Sequence, residues 1–353
     1  MKYLYVLLIC IPATIIERFI LHASDGLIFA TSCLAIVPLA VLIGDSTEQI
    51  ALYTGPKIGG FLNATMGNVP ELLISGFAVK AGLYGLVLAS LAGSIIGNIM
   101  LVMGLSIFLG GLKFKFQVFN KNIVRSNFAL LAFVSFSIIV PFAFKSFSNG
   151  GISDGAMDHF SIALAVIMLG VYIVGLVFSM FTHKDIFHDA GEDEEPEEAK
   201  WSMGKAVAML ATATFFVALM SETLVATVET AAEQFHLSEA FIGIILIPIL
   251  GNVAEHASAM MMAYKGKLDI AIEIAAGSSM QIALFVTPLM VLFSGLLGNI
   301  MEYVYTPGEL LGIVVGILMA GFVLMDQKTN WLEGFQLMVA YFVLGAAFLV
   351  FGV

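Results

Sequence analysis

Long apolar stretches alternate along this chain with short polar turns, at a spacing that fits membrane-crossing helices. A helix rises about 1.5 Å per residue, so about twenty apolar residues cross a hydrocarbon core roughly 30 Å thick. On that ruler the sequence predicts about eleven transmembrane helices, over residues 3–21, 26–44, 57–80, 83–111, 126–145, 156–182, 203–225, 239–264, 268–297, 307–327 and 331–353. The apolar runs are continuous and lack the period-two alternation of a membrane β-barrel. The expected fold is therefore an all-α polytopic membrane protein.

Composition agrees. Of the 353 residues 60% are hydrophobic and 12% charged, against about 25% charged in a soluble domain. The first apolar stretch is followed by further spans, with no small-residue cleavage site, so it reads as a helix and not as a signal peptide. Cys10 and Cys33 fall inside spans and read as small buried apolar residues. The net charge of −11 is concentrated between spans six and seven, in Asp185, Asp189, Glu192, Asp193, Glu194, Glu195, Glu197 and Glu198. That sign argues against nucleic acid or an anionic lipid surface as a partner, and leaves the bilayer itself as the expected surrounding.

Lys and Arg, which cytoplasmic loops retain, orient the chain. With the N-terminus cytoplasmic, Lys2, Lys57, Lys113, Lys115, Lys121, Arg125, Lys184, Lys200, Lys205, Lys265, Lys267 and Lys328 lie inside, and only Arg18, Lys80 and Lys145 outside. Twelve against three places the N-terminus in the cytoplasm and the C-terminus outside. Residues 1–25 then hold an extra N-terminal helix, 26–182 a first five-helix repeat, 183–202 a cytoplasmic acidic linker and 203–353 a second five-helix repeat. Five is odd, so the second repeat enters the membrane inverted, an arrangement associated with alternating access around a midplane site.

Direct self-similarity supports two copies. Gly67-Asn68-Val69-Pro70-Glu71 returns 184 positions later as Gly251-Asn252-Val253-Ala254-Glu255, and Gly82, Gly93 and Ser94 meet Gly266, Gly277 and Ser278 at the same offset. Each copy sets a carboxylate inside an apolar stretch, where an ionisable residue marks a functional site. The three-residue spacing puts the Asn and the Glu on one helix face. Gly67, Pro70, Pro248 and Gly251 predict broken helices, tolerated at membrane depth where the freed backbone lines a cavity or ligand.

Nearby spans add Ser94 and Asn98, then Ser278, Ser279 and Gln281. All are oxygen donors, a set suited to a hard divalent cation such as Ca²⁺, and Mn²⁺ accepts the same donors. Two glutamates balance the charge of one such ion, and without it the same carboxylates take protons. Metal and protons compete for one site, which is the physical basis of an antiporter. Other roles stay open here. The small residues also suit helix packing, Asn98 and Gln281 interhelical hydrogen bonding, and His256 either a plain hydrogen bond or a proton-binding role. Asp45, Glu48, Glu222 and Glu273, near span ends, fit an access route or interfacial charges.

The segments Gly44-Asp45-Ser46-Thr47-Glu48, 59–76, 248–258, 265–270 and 277–287 resemble the cation/proton exchanger (CAX) family of the calcium/cation antiporter superfamily, over nearly the whole chain. The resemblance implies that Glu71 and Glu255 are the central cation- and proton-binding carboxylates, with Asn68, Asn252, Ser94, Asn98, Ser278 and Gln281 at pocket positions. It also matches the acidic linker to the family's acidic helix. Asn at both 68 and 252, with the Glu255-His256 pair, favours protons as the counter-ion, whereas Pro70 resembles the sodium-coupled branch.

The expectation is thus a secondary antiporter exporting Ca²⁺ for H⁺, with no catalytic residues, no cofactor beyond the transported ions, and a place in a prokaryotic plasma membrane. An assembly of like copies is compatible with it. The alternatives are a Na⁺-coupled Ca²⁺ exchanger and, more remotely, an intramembrane metal-dependent hydrolase or a cation channel. Energetics bear on stoichiometry. Export against a ten-thousand-fold gradient costs about 5.5 kcal/mol, and two protons over one pH unit supply about 2.7 kcal/mol. A third proton, with His256 as first candidate, would add about 2.3 kcal/mol per 100 mV.

Overall fold

Helices make up nearly all of the structure, a computed structural model that describes residues 2–148, 151–183 and 199–352. In chain order they are α1 (Tyr3–Leu21), α2 (Asp25–Gly55), α3 (Val69–Ala81), α4 (Tyr84–Lys113), α5 (Lys121–Phe147), α6 (Gly155–Thr182), α7 (Met203–Phe235), α8 (Glu239–Gly251), α9 (Val253–Tyr264), α10 (Leu268–Leu296), α11 (Pro307–Val323) and α12 (Trp331–Phe351). The acidic run predicted between the repeats falls at 184–198, outside the described residues.

Among the described residues eight helices are long and apolar enough to cross a membrane, and α8 with α9 makes a ninth that bends by 62°. The predicted span 57–80 is not one helix. Helical structure resumes past Gly55, runs to Met66, stops at Gly67-Asn68 and restarts as α3. Gly55, at φ 80° and ψ 171°, takes a backbone conformation open to glycine and strained for other residues. The predicted 26–44 and 203–225 fall short because hydropathy stops at charge while the backbone hydrogen-bond ladder continues. Asp45 and Glu48 lie within α2, and Glu229 and Glu233 within α7. One two-stranded sheet departs from the all-helical expectation: Gln117–Val118 pairs antiparallel with Lys328–Thr329 and ties together the turns after α4 and α11.

Helix starts follow local chemistry. Thr306 with Glu309, and Asn330 with Glu333, form capping boxes on α11 and α12, satisfying orphan N–H groups at both termini. Ser202 caps α7 by accepting from Lys205 N. The most apolar stretch of α4 is 100% buried while that of α1 is 11% buried, so α4 is the central post and α1 lies at the periphery. α2 and α7 make the most extensive helix pairing, and α4 packs on α8, α9 and α12.

Gly93 permits the α4–α8 contact. A Cβ there would lie 2.6 Å from the backbone Cα of Ile244, inside van der Waals distance. The 184-residue repeat also reappears in backbone detail. A π-turn spans Gly97–Val102 in α4 and another Ile282–Val286 in α10, nearly superposable at that offset. Such turns inside helices concentrate at functional sites.

Candidate functional site

Two helix breaks face one another at the centre of the fold. Asn68 has φ −94° and ψ 14°, and Asn252 φ −92° and ψ 13°, so the two copies break in the same conformation. Each keeps its backbone carbonyl in the new helix, accepting from Leu72 N and His256 N at 2.9 Å. Neither side chain caps its own helix, which leaves both amides to reach across the structure. The starts of α3 and α9, positive by the helix dipole, carry Glu71 and Glu255 in their first turns.

The cross-connections are specific. Asn68 Nδ2 donates to Gln281 Oε1 at 2.5 Å, and Asn252 Nδ2 to Ser94 Oγ at 3.1 Å. Asn98 Nδ2 donates to Ser278 Oγ at 2.9 Å, and Ser278 Oγ donates onward to Glu255 Oε2 at 2.6 Å. Every one of the first three bonds joins a residue before the acidic linker to one after it. Seven of the eight sequence-predicted pocket residues are thus hydrogen-bonded to one another, in two pairs and one chain of three. The eighth, Glu71, is 5% exposed, and neither carboxylate oxygen has a hydrogen-bond partner.

A cavity of about 1500 Å³ leads to this set, between α2, α5, α6, α9 and α10. Glu255, Ser278 and Gln281 lie on its wall, as do Asp45, Glu48 and Glu273. Glu71 is not on that wall, so the two carboxylates differ in access. Of the four predicted route residues Glu222 is the exception. It is exposed on α7 and absent from the wall, because it lies on the outward face of the helix while Ser221, Thr223 and Leu224 beside it are buried. His256 lies beside Glu255 in sequence, but its Nε2 is buried without a partner and the ring is not on the wall. Ser279 bonds back to Ala275 O in its own helix.

The donor set is two carboxylates with amide and hydroxyl oxygens, hard ligands fit for an oxygen-seeking cation passing through as cargo. No group of three or more His, Cys, Asp or Glu occurs at ligating distance among the described residues.

The family model of the sodium/calcium exchanger protein matches residues 25–181 and 205–350, most of the chain. The chain belongs to that family. Among relatives of this exchanger, the Ca²⁺/H⁺ antiporter ChaA of Bacillus subtilis (strain 168) is 44% identical over 340 residues, covering 96% of each chain. A Ca²⁺/H⁺ antiporter of Aphanothece halophytica is 39% identical over 355 residues, covering 97% of this chain and 95% of its own. Of solved structures, native YfkE superposes with a TM-score of 0.86 at 39% identity, over 98% of this chain and 99% of that one.

Sequence reasoning missed parts of the exchanger's cavity. Asn127 of α5, 4% exposed, and Tyr172 of α6, stacked on Phe285 at 5.3 Å, both line it. A lone amide in an apolar span was the available signal for Asn127. Tyr5 of α1 was also missed: its hydroxyl donates to Asp45 Oδ2 at 2.6 Å and brings the extra helix to the cavity wall. No sequence spacing connects residues 40 positions apart on two helices.

Proposed function

We propose that this exchanger exports Ca²⁺ from the cytoplasm in exchange for protons, by alternating access at a site between Glu71 and Glu255. The observation that carries the reading is that each helix break is bonded to the opposite half, Asn68 to Gln281 of α10 and Asn252 to Ser94 of α4. Relatives named Ca²⁺/H⁺ antiporters that span the chain end to end support the ion pair. A bound Ca²⁺ draws on both carboxylates and on oxygens from Asn68, Asn252, Ser94, Asn98, Ser278 and Gln281 as the set relaxes around it. When it leaves, two buried carboxylates need protons in its place, since burying unpaired charge is costly. The empty, charged site is the state that cannot reorient.

The wider reading follows the same logic. Eleven spans form two inverted five-helix repeats, 26–182 and 203–353, after the extra helix in 1–25. The N-terminus is cytoplasmic and the membrane is a prokaryotic plasma membrane. The cavity then opens to the cytoplasm, because its rim at Thr54, Gly55, Met180 and Met262 adjoins the Lys-rich turns. Asp45, Glu48 and Glu273 draw cations towards Glu255 along that wall. Pro70 does not argue for sodium. It occupies the first turn of α3, where a missing N–H is without consequence, so helix initiation accounts for it.

Proteoliposomes with separately imposed pH and Na⁺ gradients test the reading. A pH gradient should drive radiolabelled Ca²⁺ uptake, and a Na⁺ gradient at clamped pH should not. Glu71→Gln and Glu255→Gln should each abolish pH-driven flux with folding intact, and full activity in either would reject the site.

A further inference from the structure

The residue before each helix break is a glycine, and one of the two has a steric reason to be. A Cβ built on Gly251 would stand 2.6 Å from Glu71 Oε1 and 3.3 Å from its carboxyl carbon. Gly251 is also on the cavity wall, while Glu71 is not. The bare α-carbon therefore separates the cavity from the buried carboxylate, and the carboxylate rests in the space a side chain would fill. The repeat supplies the counterpart. Gly67 precedes Asn68 as Gly251 precedes Asn252, Glu255 corresponds to Glu71, and Gly67 lines the cavity together with Glu255.

We propose that Gly251 and Gly67 are reciprocal seats that set which face of the exchanger is open: Glu71 parks against Gly251 when the described cavity is open, and Glu255 parks against Gly67 when the opposite face opens. The inference rests on the alternating-access reading above and assigns the positioning role to two residues that donate nothing to the ion. The two copies share one backbone conformation at Asn68 and Asn252, the residues that follow the glycines, so the two seats are alike in local shape. A methyl group at one seat evicts its carboxylate and biases the equilibrium toward the other state, in proportion to the difference it makes between the two. The same methyl at the other seat acts with the opposite sign, which general damage to packing does not do.

The test reads cavity opening without requiring transport. In a Cys10→Ala, Cys33→Ala background, Ser258→Cys places a thiol on the cavity wall, and its rate of labelling by a membrane-impermeant maleimide is measured in nanodiscs. Adding Gly251→Ala should slow labelling by about fivefold or more, and adding Gly67→Ala should leave it unchanged or faster. In a Glu71→Ala background, where the seat has no occupant, Gly251→Ala should have no further effect. Wild-type labelling with Gly251→Ala, equal slowing by both glycine variants, or undiminished slowing after Glu71→Ala would each overturn the proposal. If Gly251→Ala alone does not fold, Glu71→Ala must restore a monodisperse protein, and failure to do so overturns it as well. Ca²⁺ flux in the parent protein tests the functional reading independently of these outcomes.

Discussion

Ser278 is joined to Glu255 by a 2.6 Å hydrogen bond, whereas Ser94, its counterpart at the 184-residue offset, accepts from Asn252 and leaves Glu71 without a partner. The two halves share a backbone plan and differ in how they hold their carboxylates. Ser278 also accepts from Asn98, so one hydroxyl fixes both an acid and an amide. Ser278→Ala removes both bonds. Hydrogen bonds to a charged group are worth about 1.5–3 kcal/mol, so the half-saturating Ca²⁺ concentration should rise about tenfold or more. Ser94→Ala removes one neutral ligand oxygen and the bond from Asn252 but no bond to a carboxylate, so it should raise the concentration by a smaller factor, about two- to fivefold, measured as initial flux in proteoliposomes.

Much of this site could be read from the chain, for a physical reason. Glu71 and Glu255 stand out because a carboxylate in an apolar run is costly, and Asn68 and Asn252 because the motif recurs intact. The breaks were foreseen from Gly and Pro. Which bonds close was not legible: nothing in the repeat says that Asn68 meets Gln281 while Asn252 meets Ser94. Offset symmetry would have paired Asn68 with Ser278. Helix faces were equally hidden, so Glu222 was placed with Asp45 and Glu48 although it points away from the cavity.

Competition between Ca²⁺ and protons for two carboxylates has a definite pH signature. Lowering pH protonates the groups that must be free to bind the cation, so apparent affinity for Ca²⁺ falls as pH falls. In the range where both sites titrate, the logarithm of the half-saturating concentration should change by about two per pH unit, one for each proton displaced. A Na⁺-coupled exchanger would show a weaker pH dependence and a dependence on Na⁺ instead. Equilibrium Ca²⁺ binding measured across pH in detergent-solubilised protein gives the slope directly.

His256 offers a separate test of stoichiometry. Its Nε2 is buried without a partner one residue from Glu255, so a proton there would be an added charge carried with the site. If it carries the third proton, inside-negative potential accelerates pH-driven Ca²⁺ export, with about 2.3 kcal/mol available per 100 mV. His256→Gln keeps a polar side chain and cannot titrate, so exchange should persist and lose its response to potential. Flux under valinomycin-clamped voltages checks this. A wild type indifferent to voltage would assign the ring a structural role.

Gly93 and Gly277 occupy equivalent positions in the two copies, yet the structure predicts opposite tolerance. A methyl on Gly93 would meet the backbone of Ile244, with Cα and the carbonyl carbon both at 2.6 Å, and backbone cannot rotate away as a side chain can. A methyl on Gly277 meets nothing within 4 Å, because that side borders the cavity. Forcing α4 and α8 apart also displaces the helix break at Asn252, which follows α8 directly. Gly93→Ala should therefore destabilise by about 1–3 kcal/mol and reduce flux. Gly277→Ala should leave the melting temperature within about one degree of wild type. Thermal unfolding followed by size-exclusion chromatography distinguishes the two. Equal losses would mean that sequence equivalence, and not the α4–α8 contact, governs these positions.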